Sequence, residues 1–184
     1  MTEEYPDLRE QKAASEDLFR GRVLHLFLDM VELPNGHVAH RELVRHVGAV
    51  CVIPVTEDGN VVVERQYRYP IDQVITEIPA GKLDSKEEDP LEAAKRELRE
   101  ETGYTAGTWR ELGLFYPAAA YSDEAIHMYL ATDLKPGERQ PDDDEFLRVE
   151  TVPLKDLVSQ VMAGQIPDAK TQVAVLKAAR MLGK

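Results

Sequence analysis

The sequence predicts a mixed α/β fold. Three features predict it: short runs of branched and aromatic residues separated by turn signals, one central helix marked at both ends, and two amphipathic stretches near the C-terminus. Taken in order, residues 1–20 are charged and weakly patterned, which suits a mobile arm or a partner-bound segment. Residues 23–33 are rich in branched and aromatic side chains and end at Pro34-Asn35-Gly36, a turn; residues 38–44 form the returning strand. A second apolar run covers 49–55. Glu57-Asp58-Gly59-Asn60 makes a hairpin tip into a strand over 61–67, because Asp-Gly tolerates the positive φ of tight hairpins. A short strand over 74–78 meets Pro79-Ala80-Gly81.

The clearest helix follows. Asp89 is a good N-cap, Pro90 suits the first helical position, and Glu92 completes a capping box. The helix runs to Thr102 and stops at Gly103, a residue free to take the left-handed conformation. Strands are expected over 108–115 and 125–132. Residues 133–145, with Lys-Pro-Gly, Gln-Pro and three aspartates, form a surface loop. A strand over 147–152 and helices over 154–163 and 169–181 complete the chain, which contains no internal repeat.

Composition narrows the function. The 184 residues suffice for an ordinary core, and with 43% apolar and 30% charged residues the chain reads as globular. Its 22 basic and 34 acidic residues give a net charge of -12, which repels a phosphate backbone and argues against a nucleic-acid polymer as partner. An anionic small substrate would need a local correction, either a divalent cation or placed arginines. The single cysteine, Cys51, lies in an apolar run and reads as a buried core thiol in a reducing compartment. No stretch approaches the roughly 20 apolar residues of a membrane span, and the acidic N-terminus has no signal region, so no membrane partner and a cytoplasmic location are expected. Five histidines show no zinc spacing, and neither a nucleophile elbow nor a Walker loop is present. Trp109 and Tyr104 read as core aromatics.

Chemistry concentrates on the central helix. At about 100° per residue, Glu97, Glu100 and Glu101 share an arc of about 100°, beside an apolar stripe of Leu91, Ala94 and Leu98. Like charges at this spacing destabilise a helix by a few tenths of a kcal/mol per pair. A hard divalent cation, which prefers carboxylate oxygens, would relieve that cost. Charge alone allows the plainer reading of a salt-laced surface helix.

The surrounding residues resemble the Nudix family. Its box is Gly, five residues, Glu, seven residues, Arg-Glu, an aliphatic residue, any residue, Glu-Glu, any residue, Gly and an aliphatic or aromatic residue. Here Gly81 is followed by Glu88, seven residues, and then Arg96-Glu97-Leu98-Arg99-Glu100-Glu101-Thr102-Gly103-Tyr104. The one departure is six residues, not five, between Gly81 and Glu88, with the helix register intact. The resemblance implies an α/β/α sandwich with a mixed sheet. It implies that Glu97, Glu100 and Glu101 bind magnesium with the Ala80 carbonyl, manganese being able to substitute. Glu100 and Glu101 would thereby be catalytic, Arg96 would pair with Glu88, and Gly81 and Gly103 would shape the backbone at either end.

Flanking residues resemble the ADP-ribose pyrophosphatase branch. Gly21-Arg22-Val23, Leu33-Pro34-Asn35-Gly36 and Arg41-Glu42 resemble its N-terminal β element. The implied division is residues 1–45 as that element, pairing chains into a homodimer, and 46–184 as the catalytic domain. Arg65-Gln66-Tyr67-Arg68 and Glu77-Ile78-Pro79-Ala80-Gly81 match the lead into the box, making Arg68, Glu77 and Gly81 substrate-binding candidates, with Arg68 on phosphate or the terminal ribose. Ser122-Asp123-Glu124 also matches, and adds Ser122. Ala118-Ala119-Ala120 replaces the branch's usual Ser-Pro-Gly, which keeps a sugar nucleotide such as GDP-mannose open as substrate. The acidic run Asp142-Asp143-Asp144-Glu145 before Phe146 resembles the branch's base-bearing loop, with Glu145 the chosen base, although a solvated linker reads similarly. The implied reaction is hydrolysis of ADP-ribose to AMP and ribose 5-phosphate. A sensor that binds nucleotide without cutting it is the reading from another class; such domains commonly lose box glutamates that this chain keeps. A plain acidic interaction module leaves the Gly and Arg spacing unexplained.

Overall fold

A computed structural model describes residues 5–140 and 145–183. The chain divides into two compact units, Met1–His46 with Ala118–Glu124, and Val47–Pro117 with Ala125–Lys184.

The first unit is a three-stranded antiparallel sheet in the order β1 (Gln11–Arg20), β2 (His25–Glu32), β3 (Val38–Arg45). β1 replaces the mobile arm expected over residues 11–20 with a strand. All ten of its residues are exposed, so it buries no face that an alternating apolar pattern would mark, and its register slips between Lys12 and Ala14 and again between Asp17 and Phe19. Ser15 Oγ donates to Asp29 Oδ1 across the pair at 2.5 Å, and Arg45 Nη2 stands 3.4 Å from Asp29 Oδ2, so the buried aspartate is satisfied. The segment Ala118–Glu124 joins this unit through Val44 N–H to Tyr121 O (2.8 Å) and His46 N–H to Asp123 Oδ1 (2.6 Å).

The second unit is built on a four-stranded sheet in the order β7 (Ala80–Lys82), β4 (Ala49–Pro54), β9 (Ile126–Lys135), β8 (Thr105–Phe115). β4 and β9 are parallel and the other pairs antiparallel, so the sheet is mixed. β4 is buried on both faces, which explains its unbroken apolar run. Val50 and Val52 pack with Ala93, Ala94 and Leu98 of α1 (Pro90–Thr102). Cys51 and Ile53 pack toward α2 (Leu154–Met162) and α3 (Ala169–Met181). Helices thus cover both faces, giving the α/β/α sandwich. An antiparallel sheet β10 (Leu147–Pro153), β5 (Asn60–Arg68), β6 (Gln73–Glu77) contributes Val61 and Val63 to the same core as Cys51.

β7 has no apolar pattern and is a strand only because Ala80, Gly81 and Lys82 pair with Cys51, Val50 and Ala49. β8 and β9 reach past their expected ends by pairing Thr105 with Lys135, a contact that propensity does not foretell. Cys51 is fully buried, and burial pushes its thiol up to about 12, so it is an inert core group. Trp109 packs edge-on against Tyr129, ring centres 6.3 Å apart, at the margin of the α1 core. Among the described residues no helix is long and apolar enough to cross a membrane.

The ends of α1 match their signals with one correction. Asp89 accepts hydrogen bonds from Leu91 N–H (2.9 Å) and Glu92 N–H (3.0 Å), and Gly103 sits at φ 77° where a Cβ would press on Gly137 O. Glu92 does not fold back as in a capping box; its carboxylate meets Lys95 Nζ at 2.7 Å on the exposed face. Asp89→Ala is therefore expected to lower unfolding free energy by about 1 kcal/mol in urea titration. Glu92→Ala should stay within about 0.5 kcal/mol of the wild type; a loss as large as that of Asp89→Ala would restore the capping box.

Candidate active site

The acidic face of α1 lies against β7, and the contact is made possible by a missing side chain. A Cβ on Gly81 would run into the carboxylate of Glu97, so this position needs glycine for close approach, without any positive φ. Glu101 Oε2 accepts from Ala80 N–H at 3.0 Å. Glu97 and Glu101 are buried and Glu100 is half-buried, as the one-face spacing predicts.

Arg96 ties the box together. Its Nη1 donates to Glu97 Oε1 (2.7 Å) and Glu100 Oε2 (3.3 Å), and its Nη2 to Lys82 O (3.2 Å) and Glu88 Oε1 (3.4 Å). Glu88 Oε2 in turn accepts from Asp84 N–H at 2.6 Å, and Glu88 N–H donates to Ser85 O at 3.3 Å. The extra residue between Gly81 and Glu88 is absorbed in this closed turn, so Glu88 still reaches Arg96.

The cluster lacks countercharge. Burial, against the pull of Arg96, pushes Glu97 up to about 7. Burial and then Glu64, Glu97 and Glu145 raise Glu101; burial likewise raises Glu64, with Arg139 opposing and Glu77 adding to the rise. Glu64, on β5, is 2% exposed, and its Oε1 has no hydrogen-bond partner among the described residues. Arg139 Nε donates to Glu101 O (2.7 Å) and Gln140 N–H to Glu100 O (3.0 Å), closing the C-terminal end of α1. Among the described residues no three acidic, cysteine or histidine side chains are arrayed as ligands around one point, since Arg96 and Ala80 N–H engage the box carboxylates. The box carboxylates nevertheless suit a hard divalent cation: they offer crowded oxygens, and Glu64 beside Glu101 keeps one buried carboxylate oxygen without a hydrogen-bond partner among the described residues.

These groups face an open cavity of about 570 Å³. Arg68, Ala80, Gly81, Glu97, Glu100 and Glu145 line it together with Arg96, so seven of the residues singled out in the sequence come together. Glu101 lies behind, and Gly103 serves as the helix cap. Glu77 is 3% exposed and does not line the cavity; its carboxylate is taken up by Arg68 and by Lys170. Ser122 belongs to the first unit, where its hydroxyl accepts from Glu124 N–H at 3.1 Å. Asp142, Asp143 and Asp144 lie outside the described residues. Sequence reasoning missed Glu64, Arg139 and Lys170. Glu64 follows three valines and reads as one polar position of a strand, and Lys170 reads as a first-turn surface lysine.

A NUDIX domain is matched over residues 44–173, which contains the whole cavity lining. The chain is 44% identical over 170 residues to an ADP-ribose pyrophosphatase of Bacillus subtilis (strain 168), covering 91% of each. It is 43% identical over 168 residues to a methanol dehydrogenase activator of Bacillus methanolicus, covering 90% of each. Its fold is similar to a crystal structure of an ADP compounds hydrolase, with a TM-score of 0.84 at 24% identity over 95% of each chain.

The buried Glu64 carboxyl, one oxygen of which has no hydrogen-bond partner among the described residues, has a measurable consequence. A carboxyl raised in the folded state costs stability as pH climbs above its ordinary value of 4.5, because the unfolded chain has then released a proton that the folded chain retains. In metal-free protein, Glu64→Gln is expected to match wild type near pH 4.5 and to become the more stable form toward pH 8, by roughly 2 kcal/mol. Thermal or urea denaturation across that range checks it; a difference that does not grow with pH would show Glu64 to be well paired.

Proposed function

The chain belongs to the NUDIX domain family, and on that premise we propose that it hydrolyses the diphosphate of ADP-ribose to AMP and ribose 5-phosphate, using magnesium. The single observation that carries this reading is one cavity lined by the box glutamates Glu97 and Glu100, Arg68 and Glu145 together. The intact triad Glu97, Glu100 and Glu101 favours an enzyme over a sensor, and the Bacillus subtilis relative favours ADP-ribose over another nucleotide sugar.

Glu97, Glu100 and Glu101, with the Ala80 carbonyl, would hold the metal. A divalent ion supplies charge neutralisation of the diphosphate, polarisation of its phosphorus and a more acidic bound water, and manganese offers the same chemistry. Around it the chain does the rest. Arg68 presents a guanidinium whose paired donors suit phosphate or ribose oxygens, offsetting the repulsion of an acidic protein. Arg96 holds Glu97 and Glu100 in place and the Gly81–Glu88 loop against the helix. Glu145 takes a proton from the attacking water. The water oxygen joins one phosphorus, the bond to the bridging oxygen breaks, and that oxygen leaves on the other phosphate.

The first unit is the proposed homodimer surface. Its sheet and adjoining turn leave Leu18, Phe19, Val23, Leu24 and Val38 exposed, an apolar group that a second copy of the chain would cover.

Product release from ADP-ribose, GDP-mannose, UDP-glucose and dinucleotide polyphosphates, with magnesium or chelator, tests the reading. Magnesium-dependent formation of AMP from ADP-ribose is expected to dominate, and preference for another substrate would reject the assignment. Glu100→Gln should cut kcat by about a hundredfold or more, and near-wild-type turnover would remove Glu100 from the metal site. Light scattering should return twice the chain mass, falling to one on Phe19→Asp; a monomeric wild type would reject the dimer.

A further inference from the structure

Arg68 reaches the cavity from β5, and something must fix its aim. Its Nε donates to Glu77 Oε1 at 2.6 Å and its Nη2 to Glu77 Oε2 at 2.8 Å, a side-on, two-point pair. The guanidinium is half-exposed, whereas Glu77 is 3% exposed. A carboxylate so deeply buried needs more than one half-hydrated partner to hold its charge. The second partner is Lys170, itself 11% exposed, which donates to Glu77 Oε2 and stands 3.1 Å from Asp168 Oδ1. Net, burial pushes Glu77 upward, but Arg68 and Lys170 outweigh it and hold the carboxyl below its ordinary range.

Lys170 is anchored in turn by the first turn of α3. Asp168 is the N-cap, accepting from Thr171 N–H (2.9 Å) and Thr171 Oγ1 (2.5 Å). The same Thr171 hydroxyl accepts from Ile78 N–H at 3.0 Å, one residue beyond Glu77. Two adjacent residues of α3 therefore grip two adjacent residues of the segment that leads from β6 into the box. The linkage runs unbroken from the α3 cap through Lys170 and Glu77 to Arg68 and the cavity.

From this linkage we infer that Lys170 is a positioning residue for substrate binding: it locks the Glu77 carboxylate from behind, and so sets the direction in which Arg68 presents its donors to a nucleoside diphosphate-linked substrate. Lys170 does not touch the substrate. The inference rests on the reading of Arg68 as a substrate contact.

A double-mutant cycle on the full chain tests it. KM and kcat for ADP-ribose with magnesium are measured for wild type, Lys170→Met, Arg68→Ala and the double variant, with melting temperatures recorded. Lys170→Met is expected to raise KM about tenfold with kcat changed less than about threefold, the pattern of lost binding common to ground and transition states. In the Arg68→Ala background the same change should add less than about twofold, because the group it aims is gone. Lys170→Gln, which keeps a donor toward Glu77 but loses the charge, runs through the same cycle if Lys170→Met does not fold. An unchanged KM, or effects of Lys170 and Arg68 that multiply independently, overturns the inference. A wild type that cuts GDP-mannose and not ADP-ribose overturns only the substrate assignment, and the cycle is then read on GDP-mannose. A wild type that cuts neither overturns both.

Discussion

Carboxylates buried on one flank of α1, with too few cations to match them, are the constraint around which the second unit is organised. Glu97 and Glu101 leave water when the helix docks on the sheet, and Glu64 arrives beside them from β5. Removing such charges from water costs several kcal/mol each unless they are paired or neutralised. The surroundings offset part of that cost: Arg96 spans Glu97 and Glu100, Ala80 N–H reaches Glu101, and Gly81 leaves room for the Glu97 carboxylate. What stays unbalanced is a set of crowded carboxyls that burial and mutual repulsion push toward their neutral form, beside an open cavity. On the proposed function, a divalent cation held there would supply the countercharge that lets an anionic diphosphate approach a protein of net charge -12.

The sandwich exists to hold this arrangement still. β4 gives one face to α1 and the other to α2 and α3, so the acidic helix cannot shift without disturbing a fully buried strand. β7 pairs with β4 and carries Ala80 and Gly81 to the helix. α3 grips the chain just before β7 through Lys170 and Thr171. The box is consequently braced from three sides: by the sheet, by the loop closed through Arg96 and Glu88, and by the C-terminal helix.

Much of this was legible in sequence, and the reasons differ from element to element. α1 could be read to the residue because its signals are local: an aspartate cap, proline in the first turn and glycine at the end. β4 could be read because burial on both faces leaves a continuous apolar run. β1 could not, because it is exposed along its whole length and buries no alternating apolar face, and β7 could not, because three residues become a strand only by pairing with a partner distant in the chain. The capping role given to Glu92 failed for a related reason, since Lys95, one helical turn away, competes for its carboxylate.

The caps of the central helix and the placing of three carboxylates on one face were legible because each depends on residues within one or two turns of each other, and the fold class because the strands and helices could be ordered along the chain. The groups that surround that face come together only in three dimensions. Glu64 from β5 and Arg139 from the loop before β10 converge there, and Lys170 from α3 reaches Glu77 behind Arg68, all from positions far apart in the chain. The tertiary structure also decided that Glu77 binds two cations instead of lining the cavity, and that the loop carrying Ser122 packs with the first unit. Ion pairing and burial act through space, and a linear pattern records them only where neighbours in space are also neighbours in the chain.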